Sequence, residues 1–340
     1  MNKQQPCRVA LIQFNSRIFV LLPKKHDIRA IISNKDLTMK NLLSILALAM
    51  CLGIVSCGED YDADTAQSPY TPAPGKRLVA SVKTTFFENG GENIHEHRFT
   101  YDAKGRIKTI NSNIVIYTPD VVDNNGFIDP VVYKCNMTSS ANYFYRGEEL
   151  EVAYTISTDY PERPDKNRIL SSSNYGVFNS NGVLGRFSQA SFEYSATRLD
   201  KAYADGDISI AVHRTTGDNV TGYKKTVSTT GEVLEDKSGL YHYHPKENRT
   251  NFDFSAYFGY WGVEQCVPMI VRTYRAPYQL AAFGMLGATC RHLPWGYVGK
   301  DADGKQELHY GKWTFDESGV YPLSYVDPDE RITTEITYYE

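Results

Sequence analysis

FTYDAKGRIKTI, residues Phe99–Ile110, decides the fold. Phe99 and Tyr101 project to one face of a strand, and Arg98 and Thr100 to the other. Asp102-Ala103-Lys104-Gly105 then interrupts the run. Gly105 accepts the positive φ that a short turn requires, and the Asp102 carboxylate is placed to bond the backbone that follows it. A second run starts at Arg106 and Ile107. The same design returns, loosened, at Tyr143–Tyr154, Tyr175–Phe187, Phe192–Ala204, Tyr241–Phe254 and Trp313–Tyr325. Asp316-Glu317-Ser318-Gly319 repeats the turn and Asn179-Ser180-Asn181-Gly182 is a close variant. The chain therefore reads as a succession of hairpins.

Working outward, the strands follow in order. Arg77–Phe87, Asn93–Tyr101 and Arg106–Tyr117 form a three-strand meander. Thr118–Pro130, rich in Asp, Asn and Pro, reads as a loop before a short strand at Val131–Cys135. Leu150, Val152, Tyr154 and Ile156 share one face of the next hairpin. Asp159–Asn167 is the longest polar break, and further hairpins lead to Leu240–Phe254. Across Ser255–Val298 alternation stops; Pro277–Leu286 reads as a short buried helix, weakened by Gly284 and Gly287. Glu307–Phe315, Val320–Val326 and Arg331–Tyr339 close the chain. The expected fold is all-β: a long curved antiparallel meander or incomplete barrel with at most one or two short helices, since a long amphipathic sheet covers its apolar face by curling. The alternative is two stacked sandwiches divided near Asp159–Asn167.

An address precedes this body. Met39–Cys57, MKNLLSILALAMCLGIVSC, has a basic start at Lys40 and an apolar core over Leu42–Val55, the proportions of a secretory signal and too short to span a bilayer comfortably. Ile54-Val55-Ser56-Cys57 resembles the lipobox of bacterial lipoproteins, which implies that 39–56 is a signal peptide and that Cys57 becomes the lipid-bearing (acylated, palmitate-type) first residue. Residues 1–38 are accordingly expected to lie upstream of the true start and outside the fold. The leader through Ser56 holds eight of the 36 basic and two of the 40 acidic residues, so the remaining chain stands at net −10. That charge argues against a nucleic-acid partner. Residues 57–76 read as a tether, acidic at Glu59, Asp60, Asp62 and Asp64, then Pro-rich, extended and poor at burying anything. The acidic stretch resembles the export signal of surface lipoproteins in Gram-negative bacteria, and implies exposure on the outer membrane. A single domain is expected over 77–340.

Met39–Cys57 followed by Tyr-Asp-x-x-Gly-Arg-Ile hairpins resembles a family of lipoproteins from gut-type Gram-negative anaerobes, whose domain of unknown function has a porin-like fold. The resemblance covers Arg77–Glu340, through the hairpin rhythm, the Asn248–Phe254 strand and the closing Phe-Asp-x-x-Gly turn. Tyr101–Arg106 is also similar to the Tyr-Asp repeats of RHS-class surface proteins. Neither resemblance supplies catalytic residues.

Several constellations offer chemistry. His95/His97 and His242/His244 have the i, i+2 spacing by which a strand presents two imidazoles to one metal. The plainer expectation is that Ile94, Tyr241 and Tyr243 face the core and these histidines face water. Asp301-Ala302-Asp303-Gly304 begins like a calcium loop, but Gly299 stands where the first ligand belongs, so it reads as a hairpin turn, as does Asp123-Asn124-Asn125-Gly126. Cys135, Cys266 and Cys290 allow at most one disulfide, Cys266–Cys290 being nearest in sequence, or simply buried thiols. The nucleophile, zincin, phosphate-loop and dinucleotide motifs are not found, so no cofactor or enzyme is expected. Tyr257, Tyr260, Trp261, Trp295 and Tyr297 read either as the aromatic filling of a curved sheet or as a platform on which sugars stack. Trp295, between Pro294 and Gly296, is the expected exposed member. The function expected is a non-catalytic outer-membrane surface lipoprotein, held to the membrane by lipid on Cys57 and binding a glycan or other envelope ligand. The alternatives are a hydrolase with a carboxylate pair and a purely structural envelope protein.

Overall fold

The structure, a computed structural model, describes residues 11–14, 17–20, 68–72, 74–124, 127–204, 207–214, 219–236, 241–260, 278–300 and 303–340. The chain divides into two units, Met1–Asp62 and Ala63–Glu340. In the first, β1 (Leu11–Phe14) pairs with β2 (Arg17–Val20) in an antiparallel ladder.

The second unit is built from hairpins in chain order. They are β3 (Val79–Glu88), β4 (Gly91–Tyr101), β5 (Ile107–Asn124), β6 (Phe127–Arg146), β7 (Glu149–Asp159), β8 (Arg168–Phe178), β9 (Leu184–Phe187), β10 (Ala190–Ser195), β11 (Arg198–Ala204), β12 (Ile208–Arg214), β13 (Val220–Val227) and β14 (Val233–Asp236). Each pairs with its predecessor. β15 (Tyr241–Glu247), β16 (His292–Lys300) and β17 (Gln306–Tyr310) form a separate three-stranded sheet. β18 (Lys312–Phe315), β19 (Pro322–Val326) and β20 (Ile332–Tyr338) then return to the start, β20 pairing with β3 through Ile332↔Phe86 and Ile336↔Val82. The result is one open antiparallel sheet of 15 strands with β14 and β18 at its edges. The expected open meander is what forms. Two sandwiches do not, because the β7–β8 ladder runs on to Thr158↔Arg168 at the polar break.

The Asp102 turn explains why hairpins form so readily. Asp102 Oδ1 accepts the N–H groups of Lys104 and Arg106, both at 2.9 Å, while Oδ2 takes the Arg106 Nε–H at 2.6 Å. Gly105 sits at φ 75°. The Arg106 guanidinium, 2% exposed, lies 4.4 Å over the Tyr145 ring. The same wiring recurs at three other turns: Asn179 accepts from Val183 N–H, Asp316 from Val320 and Tyr321, and Asp327 from Ile332. Gly182 and Gly319 take the positive φ in two of them, whereas Glu330 takes it, at φ 56°, in the third.

Two expectations fail for identifiable reasons. Thr118–Pro130 is not a loop, because β5 and β6 stay paired out to Asn124↔Phe127. β5 pairs with β4 only as far as Val115, and β6 with β7 only from Asn136. Pro119 and Pro130 therefore lie where each strand has a single partner and a missing N–H is tolerated. Glu307–Phe315 is not one strand either. It breaks at Gly311, whose hypothetical Cβ would meet the Tyr325 ring, and the two halves join different sheets.

The apolar face of the large sheet is covered by α1 (Phe254–Tyr260), α2 (Tyr278–Ala282) and the turns beside them. Phe99 on β4 packs 5.5 Å from Phe252 and 5.2 Å from Phe283. Phe258 stacks at 4.8 Å on Tyr325 of β19, and Leu184 N–H of β9 bonds Met285 O at 2.8 Å. Strands far apart in the sheet order thus meet one covering segment, and each fully buried ring contributes about 1.5–3 kcal/mol. The helix expected over Pro277–Leu286 forms over Tyr278–Ala282 and gives way to Gly284 and Gly287, at φ 76° and 100°. The tether also departs from expectation. Tyr70 is buried, its ring stacked with those of Tyr145 and Phe178, and its hydroxyl donates to Phe283 O.

Asp102→Ala should cost ~3–5 kcal/mol, since it strips the turn amides and strands a buried guanidinium. Asp102→Asn should cost about 1.5–3 kcal/mol. Urea titrations of both variants check the order; equal losses would refute the ion-pair account.

Candidate functional site

The small sheet places Trp295 and Tyr297 on one strand. Across the β16–β17 ladder Tyr297 faces His309 and Gly296 faces Tyr310. Antiparallel partners share a face, which brings Tyr297 and His309 together, while Trp295 falls at a register shift between β15 and β16. Tyr297 stacks on His309 at 4.8 Å with an interplanar angle of 9°. Trp295 lies 4.2 Å from Tyr310, and its edge meets His244 at 5.1 Å. Its Nε1–H donates to Gly311 O at 3.1 Å. The indole is thereby fixed by one main-chain bond and two rings, with its body half-buried. Tyr310, 39% exposed, and Leu308, 46% exposed, continue the surface. Gly296 permits this close pairing, because a Cβ there would lie 1.9 Å from His309 O.

The other members of the expected platform go elsewhere. Tyr257 is a core residue with no exposed surface, its hydroxyl 2.8 Å from Thr84 Oγ1 and its ring edge-on to His97. It offers no face to a ligand, because α1 turns it against the sheet. Tyr260 ends α1 and its side chain is not among those described; Trp261, Cys57 and Cys266 lie outside the described residues. The ledge instead recruits Tyr310 and His244, whereas the Tyr297–His309 stack lies on the opposite face of the ladder from Tyr310. The signal for Tyr310 and His244 was present in the aromatic alternation of Glu307–Phe315 and in the second His-x-His pair.

The histidine pairs do not form a metal site. β4 and β15 belong to different sheets, and no group of three or more metal-binding side chains occurs among the described residues. His95 and His97 do not face water. They share the parity of Phe99 and are 4% and 2% exposed, with His97 Nδ1 at 2.8 Å from Ser112 Oγ. Burial pulls His95 down to about 4, and burial together with His95 pulls His97 down to about 3. Cys135 and Cys290 are buried thiols, Cys290 Sγ lying 3.5 Å from the Tyr243 hydroxyl.

A cavity of about 420 Å³ opens where the tether enters the body, walled by Pro69–Pro72, Lys76, the Asn181–Val183 turn, Phe283, Gly284 and Gly287–Thr289. Lys76 Nζ reaches Thr289 Oγ1 at 3.5 Å.

No family matches the chain, and no curated protein matches it. Among solved structures it is similar to a porin-like protein from Bacteroides uniformis, at 12% identity and a TM-score of 0.41, covering 79% of this chain and 100% of that one.

The buried histidines set a pH dependence. Their folded pKa values lie below the solvated value of about 6.5, so acidification protonates the unfolded chain first and stability falls from pH 6.5 toward pH 4. Each contributes a slope of up to about 1.4 kcal/mol per pH unit. Urea midpoints of wild type and His97→Gln between pH 7 and pH 4.5 should converge on acidification; parallel curves would overturn the assignment.

Proposed function

We propose that the protein is a non-catalytic lipoprotein of the outer-membrane surface that binds a glycan through the Trp295–Tyr310 ledge. The observation that carries this reading is an indole locked by its N–H and by two neighbouring rings beside a partly exposed phenol. Rigid aromatic faces of this kind gain contact area at little conformational cost and match the apolar faces of pyranose rings. The lipobox-like Ile54–Cys57 and the acidic residues after it support anchoring by lipid on Cys57 and display outside the cell. An acidic body favours uncharged or cationic ligands at this ledge over nucleic acid.

Isothermal titration against a panel of neutral envelope oligosaccharides should show binding that Trp295→Ala weakens by ~1 kcal/mol or more, about fivefold. Tyr257→Phe should leave affinity unchanged and cost about 1 kcal/mol of stability through its lost bond to Thr84. Unchanged affinity on removing the indole would end the ledge reading. Cys57→Ser should move the protein from the membrane to the soluble fraction, and retention in the membrane would end the anchoring one.

A further inference from the structure

The cavity beside Lys76 has a composition unlike the ledge. Its walls combine apolar surfaces, the Phe283 ring and Pro72, with the polar groups of Asn181, Thr197 and Thr289. Its volume of about 420 Å³ falls within the range of small-molecule sites and suits a sugar of mono- to disaccharide size. The wall is preformed. Tyr70 stacks against Tyr145 and Phe178, Leu184 N–H at the exit of the Asn181–Val183 turn bonds Met285 O, and Ala288 N–H bonds Thr197 O, so the three segments around the opening are each held in place. Gly182 and Gly287 let the wall segments pack closely against one another, since a Cβ at the first would meet Pro69 O and one at the second Thr197 O.

Lys76 is the cation of this wall. Burial pulls its pKa below the ordinary lysine value, against the opposing pull of Asp253. That carboxylate is already engaged by the N–H groups of Ser255 and Cys290. The ammonium's own hydrogen bond, to Thr289, is long at 3.5 Å. A partly desolvated ammonium in a cavity of hydroxyls and amides is the recognition chemistry of an anion attached to a polyol.

We propose that this cavity, separate from the Trp295 ledge, binds a small acidic sugar whose carboxylate pairs with Lys76 and whose hydroxyls meet Asn181, Thr197 and Thr289. The probes are D-glucuronate and D-galacturonate, compared with D-glucose, acetate and inorganic phosphate, titrated calorimetrically into the purified full chain. A uronate should bind at least tenfold more tightly than glucose or acetate. Lys76→Met should abolish that preference, Lys76→Arg should retain most of it, and Trp295→Ala should leave it untouched. Asn181 lies on the exposed rim, where its Nδ2–H donates to Ala196 O, so Asn181→Ala removes a rim amide while leaving the buried residues in place and should weaken uronate binding severalfold. Equal affinity for glucose and uronate, or uronate binding indifferent to Lys76→Met and Asn181→Ala, would overturn the proposal. Phosphate binding as tightly as uronate would reduce the cavity to a plain anion site and overturn its sugar specificity. Loss of uronate binding in Trp295→Ala, with Lys76→Met silent, would assign the acidic sugar to the ledge instead.

Discussion

A buried carboxylate holds together the segment on which the large sheet depends. Asp253 caps α1 by accepting Ser255 N–H at 2.9 Å, and its other oxygen accepts Cys290 N–H at 2.7 Å. Its own N–H bonds Ala282 O at 2.7 Å. One residue thus joins the start of α1, the end of α2 and the entry to β16. An open sheet of 15 strands has an apolar face too large to leave in water. Phe252, Phe254, Phe258, Phe283 and Met285 cover it, and Asp253 fixes their relative positions.

The pairing of β3 with β20 relies on a second polar contact inside the apolar layer. Thr84 on β3 and Thr334 on β20 face each other, their hydroxyls 3.0 Å apart, and the Tyr257 hydroxyl bonds the former at 2.8 Å. These groups are buried and mutually satisfied, which turns a desolvation cost into register specificity. The pairing of first and last strands is therefore joined to the covering segment through a tyrosine. The four hairpins turned at Asp102, Asn179, Asp316 and Asp327 need no such help, because each of these side chains satisfies the backbone of its own turn within a few residues.

Both candidate binding surfaces sit where the regular hairpin pattern is interrupted. At Gly311 the chain leaves the small sheet for the edge of the large one, and the bend brings Trp295 against Tyr310. At Lys76 the tether gives way to β3 beside the turns of α2. Regular strands satisfy their backbone with each other and present flat faces, whereas junctions leave concave space lined by mixed chemistry.

The sequence by itself determined the strands, the turns and their antiparallel order. These follow from alternation over a few residues and from an Asp or Asn placed before a glycine, both local properties. It also contained the inward direction of His95 and His97, since both share the parity of Phe99. The continuation of β5 and β6 through Pro119 and Pro130 was not legible, because tolerance of proline depends on which neighbours a strand has, and that is set by the whole sheet. The split at Gly311, the burial of Tyr257, the insertion of Tyr70 and the cavity at Lys76 were decided by tertiary structure alone. Each rests on contacts between segments tens to hundreds of residues apart, and no local spacing records which distant surface a side chain will meet.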